Sequence, residues 1–228
     1  MNDIEGRVER VRDRIRAAAA RAGRDPESVT LVAVSKTFPA PAVLAAVRAG
    51  VTDVGENRAQ EMVDKARQLN DEVRWHFVGR LQTNKVRHVV GLASLIHSID
   101  GIDLAEVVGR RAAGRGIEQD VLIEVNLSGE STKTGVVPED AVDVARRVAA
   151  VEGLVVRGLM TIPSWPEDPE DSRAAYKTLA ALSMEVQRDL PGAHHLSMGM
   201  TRDFDVAVEE GATIVRVGEA IFGSRARG

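Results

Sequence analysis

Eight short strand-like runs, most of them rich in β-branched residues and separated by stretches of helical period, constrain this sequence more than any other feature. The runs are LVAVS (31–35), VTDVGE (51–56), RWHFVG (74–79), SLIHSI (94–99), VLIEVN (121–126), LVVRGLM (154–160), HHLSM (194–198) and TIVRVG (213–218). Helical segments fall between them at 39–50, 57–70, 80–91, 102–114, 138–150, 170–189 and 201–210. Regular strand–helix alternation argues for a parallel sheet, because parallel neighbours need long crossovers. Eight such units in 228 residues fit one domain, a single (β/α)8 TIM barrel over 1–228 preceded by an N-terminal helix. A doubly wound open sheet is the alternative. Its Gly-rich phosphate fingerprint is missing from the first strand–helix turn, SKTFPAP.

Local signals sharpen this reading. Gly50 closes the helix at 39–50, and Asn57 can cap the next one. Thr201 is expected to cap the helix at 201–210, which Gly211 ends. The segment IPSWPEDPED (162–171) reads as a long exposed strand–helix loop. The first helix carries four consecutive alanines and many arginines, and reads as a salt-bridged cover over one barrel end.

Several function classes are disfavoured. The net charge is −4, both signs are interspersed, and aromatic residues make up 3%, so there is neither a basic face nor a stacking platform for nucleic acid. With no cysteine, disulfides, thiolate catalysis and cysteine-ligated metals are excluded. The histidines are His76, His88, His97, His194 and His195, without metal-ligand spacing. His76 and His97 are expected in the core, and Glu56 as a helix-capping or ion-paired acid. No apolar run approaches the roughly 20 residues of a membrane helix. The N-terminus carries Asp3, Glu5, Glu9 and Asp13, unlike a signal or transit peptide. A cytoplasmic protein without membrane or nucleic-acid partners is expected.

A barrel of this kind places its chemistry at the C-terminal strand ends. Lys36 follows the first run. It is either a lysine snorkelling at a strand end or a Schiff-base lysine, its charge disfavoured by an apolar barrel mouth. After the seventh run come Ser197, Gly199 and a helix start; after the eighth come Gly218 and another helix start. Phosphate sites in barrels are built from these two loops. Facing a lysine on the first strand, they point to a phosphorylated carbonyl ligand. Arg216 alternates with Val215 and Val217, so if the valines face the helices its guanidinium enters the barrel. There it needs a partner, such as a ligand's pyridine nitrogen.

The motifs LVAVSKT, GENRAQE, WHFVGRLQTNK, HSID, NLSGESTKTG, GLMTIP and LSMGMTRDFDVAVEEGATIVRVGEAIFG resemble, nearly end to end, the pyridoxal-phosphate homeostasis proteins, the YggS/PROSC family. The resemblance implies a fold-type III barrel, like the N-terminal domain of alanine racemase, that binds pyridoxal 5'-phosphate (PLP). It implies that Lys36 holds PLP as a Schiff base. Ser197 and the backbone around Gly218 and Glu219 would bind the phosphate. Arg216 would face the pyridine nitrogen, and Asn57 and Met160 would line the ring pocket. Where the family often has Thr or Ser, this chain has Glu219, so a backbone contact survives there and a hydroxyl contact does not. Lys133 matches a family position and reads equally as a solvated loop lysine. The implied role is intracellular PLP (vitamin B6) homeostasis, with transfer to PLP-dependent apo-enzymes, by a monomer without catalytic turnover. The alternative is a PLP-dependent amino-acid racemase. It would need a second proton donor, and the only tyrosine, Tyr176, lies in a helical segment. A Schiff-base aldolase acting on sugar phosphates is a further reading, and a pure protein-interaction module fits least.

Overall fold

The computed structural model describes residues 3–69, 73–130, 134–164 and 167–224. Lys133, Trp165 and Pro166 lie outside the described residues. Strands β1 (Thr30–Val34), β2 (Asp53–Glu56), β3 (Arg74–Phe77), β4 (Leu95–Ile99), β5 (Gln119–Glu124), β6 (Leu154–Met160), β7 (His195–Ser197) and β8 (Ile214–Val217) pair in parallel and in chain order. Pairing of β8 with β1 closes the barrel. Helices α1 (Ile4–Arg21), α2 (Ala40–Arg48), α3 (Ala59–Leu69), α4 (Val86–Val89), α5 (Ile102–Ala113), α6 (Ala141–Ala149), α7 (Arg173–Asp189), α8 (Phe204–Glu209) and α9 (Glu219–Phe222) surround it. The expected (β/α)8 barrel with a leading helix is therefore the fold.

Strand residues sort by parity, as a pleated barrel requires. Ala33, Val54, Phe77, Ile96, Ile123 and Val215 join the core between sheet and helices. Val32, Val34, Val78, Leu95, Leu122, Met160 and Ile214 form a second cluster inside the barrel. Met160 reaches that cluster through a bulge. Val121 pairs with Val156 but Leu122 with Gly158, so Arg157 is an extra residue that reverses the facing of the rest of β6. Gly158 is required there, since a Cβ would lie 2.0 Å from the His195 carbonyl oxygen at a φ of +149°.

Three helical expectations are corrected. Segment 80–91 forms a 3-10 turn at Thr83–Lys85 and only one α turn, α4. Helix 201–210 begins at Phe204, not Thr201, because Asp203 is the residue at its N-cap and its Oδ1 accepts from the Met200 amide at 2.8 Å. The first helix does not cover a barrel end. It lies along the flank against α8, α9 and α2. The last unit's helix, α9, has four residues, too few to cover the closing seam, and α1 with 18 residues does so. Its apolar stripe Ile4, Val8, Val11, Ile15 and Ala18–Ala19 is buried. Arg14 pairs with Asp205 at 2.5 Å and Arg21 with Glu209 at 2.7 Å, so the expected ion pairs are present. No helix among the described residues is long and apolar enough to cross a membrane.

Candidate functional site

β1 ends at Val34 and the chain turns sharply through Lys36 and Thr37. Thr37, at φ +71°, is the one non-glycine in a left-handed conformation among the described residues. The turn is held by the Phe38 amide donating to Ser35 O at 3.0 Å and the Thr37 amide donating to Glu61 Oε2 at 2.9 Å. Beneath it, Lys65 of α3 reaches Glu56 Oε1 at 2.5 Å and Ser35 O at 2.8 Å. Glu56 is thus the ion-paired acid of the two readings. Burial raises its carboxyl, opposed by the hydrogen bonds from Lys65 and Ser35. Two lysines therefore stand near this strand end with different duties. Lys65 is buried on a carboxylate, and Lys36 is half-buried on the wall of a cavity.

That cavity, of about 560 Å3, opens at the C-terminal ends of the strands. Lys36, Asn57, Thr201, Arg216, Gly218 and Glu219 border it, with Val34 and Val78 as apolar wall. Five of the seven residues singled out in the sequence thus share one space. Asn57 Oδ1 is buried without a hydrogen-bond partner, which leaves an acceptor for an incoming donor. Gly218 and Glu219 follow β8, the neighbour of Lys36's strand, where a Cβ on Gly218 would lie 3.0 Å from the Val34 carbonyl oxygen, and the Glu219 side chain is exposed.

Arg216 projects inward from β8, with Val215 and Val217 in the outer core. Its Nη2 donates to Thr161 O at 2.8 Å and its Nη1 to Ser197 Oγ. No carboxylate among the described residues lies within ion-pair distance of it. Burial lowers the guanidinium's affinity for its proton, yet an arginine stays charged. With five N–H donors and two of these partners, it retains donors for a ligand.

The two remaining expected residues stand apart from the wall. Ser197 is fully buried, and its hydroxyl is engaged by Arg216 and by His97 Nδ1 at 2.8 Å. The hydroxyl residues that border the cavity are instead Thr201, whose Oγ1 accepts from the Ala220 amide at 3.4 Å, and Ser224. Met160 is fully buried in the inner cluster with Val34 and Val78 but does not itself border the cavity.

Loop 199–203 carries Thr201 to the wall. Gly199 at φ +89° admits no side chain, since a Cβ would lie 2.5 Å from Ala207 Cβ. Asp203 anchors the loop by accepting from Tyr176 Oη at 2.7 Å and Ser172 Oγ at 2.8 Å. Burial and the Asp203 carboxylate push the Tyr176 phenol far up, so it stays protonated and bound. Sequence reasoning missed Thr201, Asp203 and Lys65 as parts of the site. The short polar spacing T-x-D after a glycine was the available signal for the first two.

Residues 7–226 match the model of the alanine racemase N-terminal domain family. A protein of Aquifex aeolicus named pyridoxal phosphate homeostasis protein is 47% identical over 227 residues, covering 99% of each chain. An unknown protein from Bifidobacterium adolescentis has a crystal structure that matches with a TM-score of 0.91 and 38% identity over 97% of both chains. PipY of Synechococcus elongatus PCC7942, solved with PLP bound, matches with a TM-score of 0.81 and 35% identity over 93% of this chain and 100% of its own. With near-complete coverage in both directions and a matching closed barrel, the chain belongs to the family of pyridoxal phosphate homeostasis proteins.

Proposed function

We propose that this chain binds PLP in the cavity at the barrel mouth, holds its aldehyde as a Schiff base on Lys36, and serves intracellular PLP homeostasis by releasing the cofactor to apo-enzymes. The observation that carries this reading is the placement of Lys36 and the donor-rich Arg216 on one cavity. The PLP named with the related PipY structure supports it.

The residues present fit the group. Val34 and Val78 offer apolar surface to a ring, Asn57 Oδ1 offers an unmatched acceptor, and Thr201 with the Gly218–Glu219 backbone offers donors to a phosphate. PLP supplies an electrophilic aldehyde on an electron-withdrawing ring. Arg216 can only donate, so it would hold the ring nitrogen unprotonated and keep the ring a weak electron sink. That suits custody of the aldehyde better than chemistry at an amino acid's α-carbon. Tyr176, the only tyrosine, is tied to Asp203 and is not poised as a second proton donor.

The test mixes PLP-loaded protein with a PLP-dependent apo-enzyme and follows reactivation. Reactivation faster than spontaneous PLP release is expected. Reactivation at the spontaneous rate contradicts the carrier role. Rapid deuterium uptake at the α-carbon of a free amino acid would establish a racemase instead.

A further inference from the structure

A continuous file of buried polar side chains crosses the barrel interior and ends at Arg216. Asp53, at the start of β2, accepts from Arg74 Nη2 at 2.7 Å and from Thr52 Oγ1 at 2.7 Å, and lies 2.9 Å from His76 Nε2. His76 Nδ1 lies 2.9 Å from His97 Nε2, and His97 Nδ1 lies 2.8 Å from Ser197 Oγ. Ser197 Oγ in turn accepts from Arg216 Nη1. Every member of the file is at most 5% exposed. The binding role above gives no part to Asp53, His76 or His97.

Donor and acceptor inventories orient the file. Arg216 only donates, so the single Ser197 proton must go to His97 Nδ1. Burial, reinforced by the Arg216 charge, holds the His97 imidazole well below its ordinary range, so it is neutral. Its proton therefore sits on Nε2 and points at His76 Nδ1, which accepts. His76 then carries its proton on Nε2 and donates to Asp53. Burial alone would raise the Asp53 carboxyl, but hydrogen bonds from His76, Arg74 and Thr52 outweigh it, and the group is an anion. Each link is satisfied in this one direction. Reversal would leave the Ser197 proton directed at a guanidinium.

We propose that Asp53, His76, His97 and Ser197 form an oriented positioning relay that aims Arg216 at the cofactor's ring nitrogen and anchors it, through Ser197, to a carboxylate at the other end of the barrel. A carboxylate placed directly on Arg216 would occupy the donors a ligand needs. A remote one joined through polarised hydrogen bonds fixes the direction of the guanidinium and leaves those donors open. The inference rests on the PLP reading for the identity of the ligand, whereas the relay belongs to the protein alone.

Two measurements test it. Long-range 1H–15N NMR of histidine-labelled protein before PLP is added should show His76 and His97 as neutral Nε2–H tautomers. An imidazolium, or a proton on Nδ1 of either ring, overturns the relay, and this measurement needs no variant to fold. PLP titration of Asp53→Asn and Ser197→Ala should give dissociation constants raised about tenfold and a displaced absorption maximum in the bound fraction. Ser197→Thr, which keeps the hydroxyl, should restore both. Unaltered affinity and spectrum in folded Asp53→Asn and Ser197→Ala overturn the relay while the PLP reading stands. Failure of the unaltered protein to take up PLP overturns both.

Discussion

A guanidinium buried in β8 can give hydrogen bonds to a ligand but never receive one, and this single property decides what Arg216 does to an aromatic nitrogen. Arg216→Lys keeps the charge but loses the fork that reaches Ser197 and Thr161 together. PLP affinity is expected to fall by at least about tenfold, the loss of one charge-assisted hydrogen bond, as read by absorption titration; an unchanged dissociation constant would remove Arg216 from the ring. Thr201→Val should weaken PLP to a similar degree, about tenfold, yet leave phosphate-free pyridoxal unaffected; equal weakening of both would move the phosphate elsewhere. The positions of Lys36 and Arg216 were legible in the sequence because Lys36 directly follows an apolar run, where the strand end is readable, and Arg216 interrupts one, where parity is readable. Thr201 was not, because its route to the wall depends on Asp203 drawing the Met200 amide into a turn. The relay was not legible either. Its members come from β2, β3, β4, β7 and β8, and their meeting depends on the register of strands far apart in sequence.

Elements were legible wherever two periodicities alternate over several residues, and less so where prolines and side-chain caps set boundaries. Pro138 and Pro169 each open a 3-10 turn before α6 and α7, as a residue without an amide proton does at a helix start. The bulge at Arg157 could not be read from the LVVRGLM run, although its glycine is the residue such a bulge needs. α1 was legible as an ion-paired helix but its location was not, because nothing in its own sequence says that α9 is too short to close the seam. Its role there is apolar: Ile15→Ala should cost about 2–5 kcal/mol, measured by urea unfolding, and a cost under about 0.5 kcal/mol, that of an ordinary surface substitution, would show the seam sealed without it. At the loop between β7 and α8, Gly199→Ala puts a Cβ within 2.5 Å of Ala207 Cβ and forces a positive φ. A loss of about 1–3 kcal/mol is expected, with weaker PLP binding because Thr201 lies in the same loop. An unaltered melting temperature would contradict that fit.

At the scale of the whole molecule, the polar file inside the barrel gives the fold a pH dependence. His97 is neutral in the folded protein and held well below its ordinary value by burial, while the unfolded chain protonates it at about pH 6.5. Below that pH the unfolded state binds the additional proton, so stability falls as pH falls, by up to ~1.4 kcal/mol per pH unit. Asp53, depressed in the folded state, adds a loss of the same sign below about pH 4. Glu56 and Glu124, raised mainly by burial, act in the opposite sense above about pH 4.5. The difference between the unaltered protein and His97→Gln isolates the histidine: the variant's unfolding free energy should vary less steeply between about pH 7 and 5, and parallel curves would show His97 charged in the fold. The barrel brings Lys36 and Arg216 to one cavity, and the proposed function depends on what that cavity holds. The most direct measurement is to add PLP to the purified protein, record its absorption, reduce with borohydride and map the labelled peptide by mass. A new absorption band and a pyridoxyl group on Lys36, both lost in Lys36→Ala, are the predicted result. An unmodified Lys36, with no band or with the label on another lysine, would contradict the account.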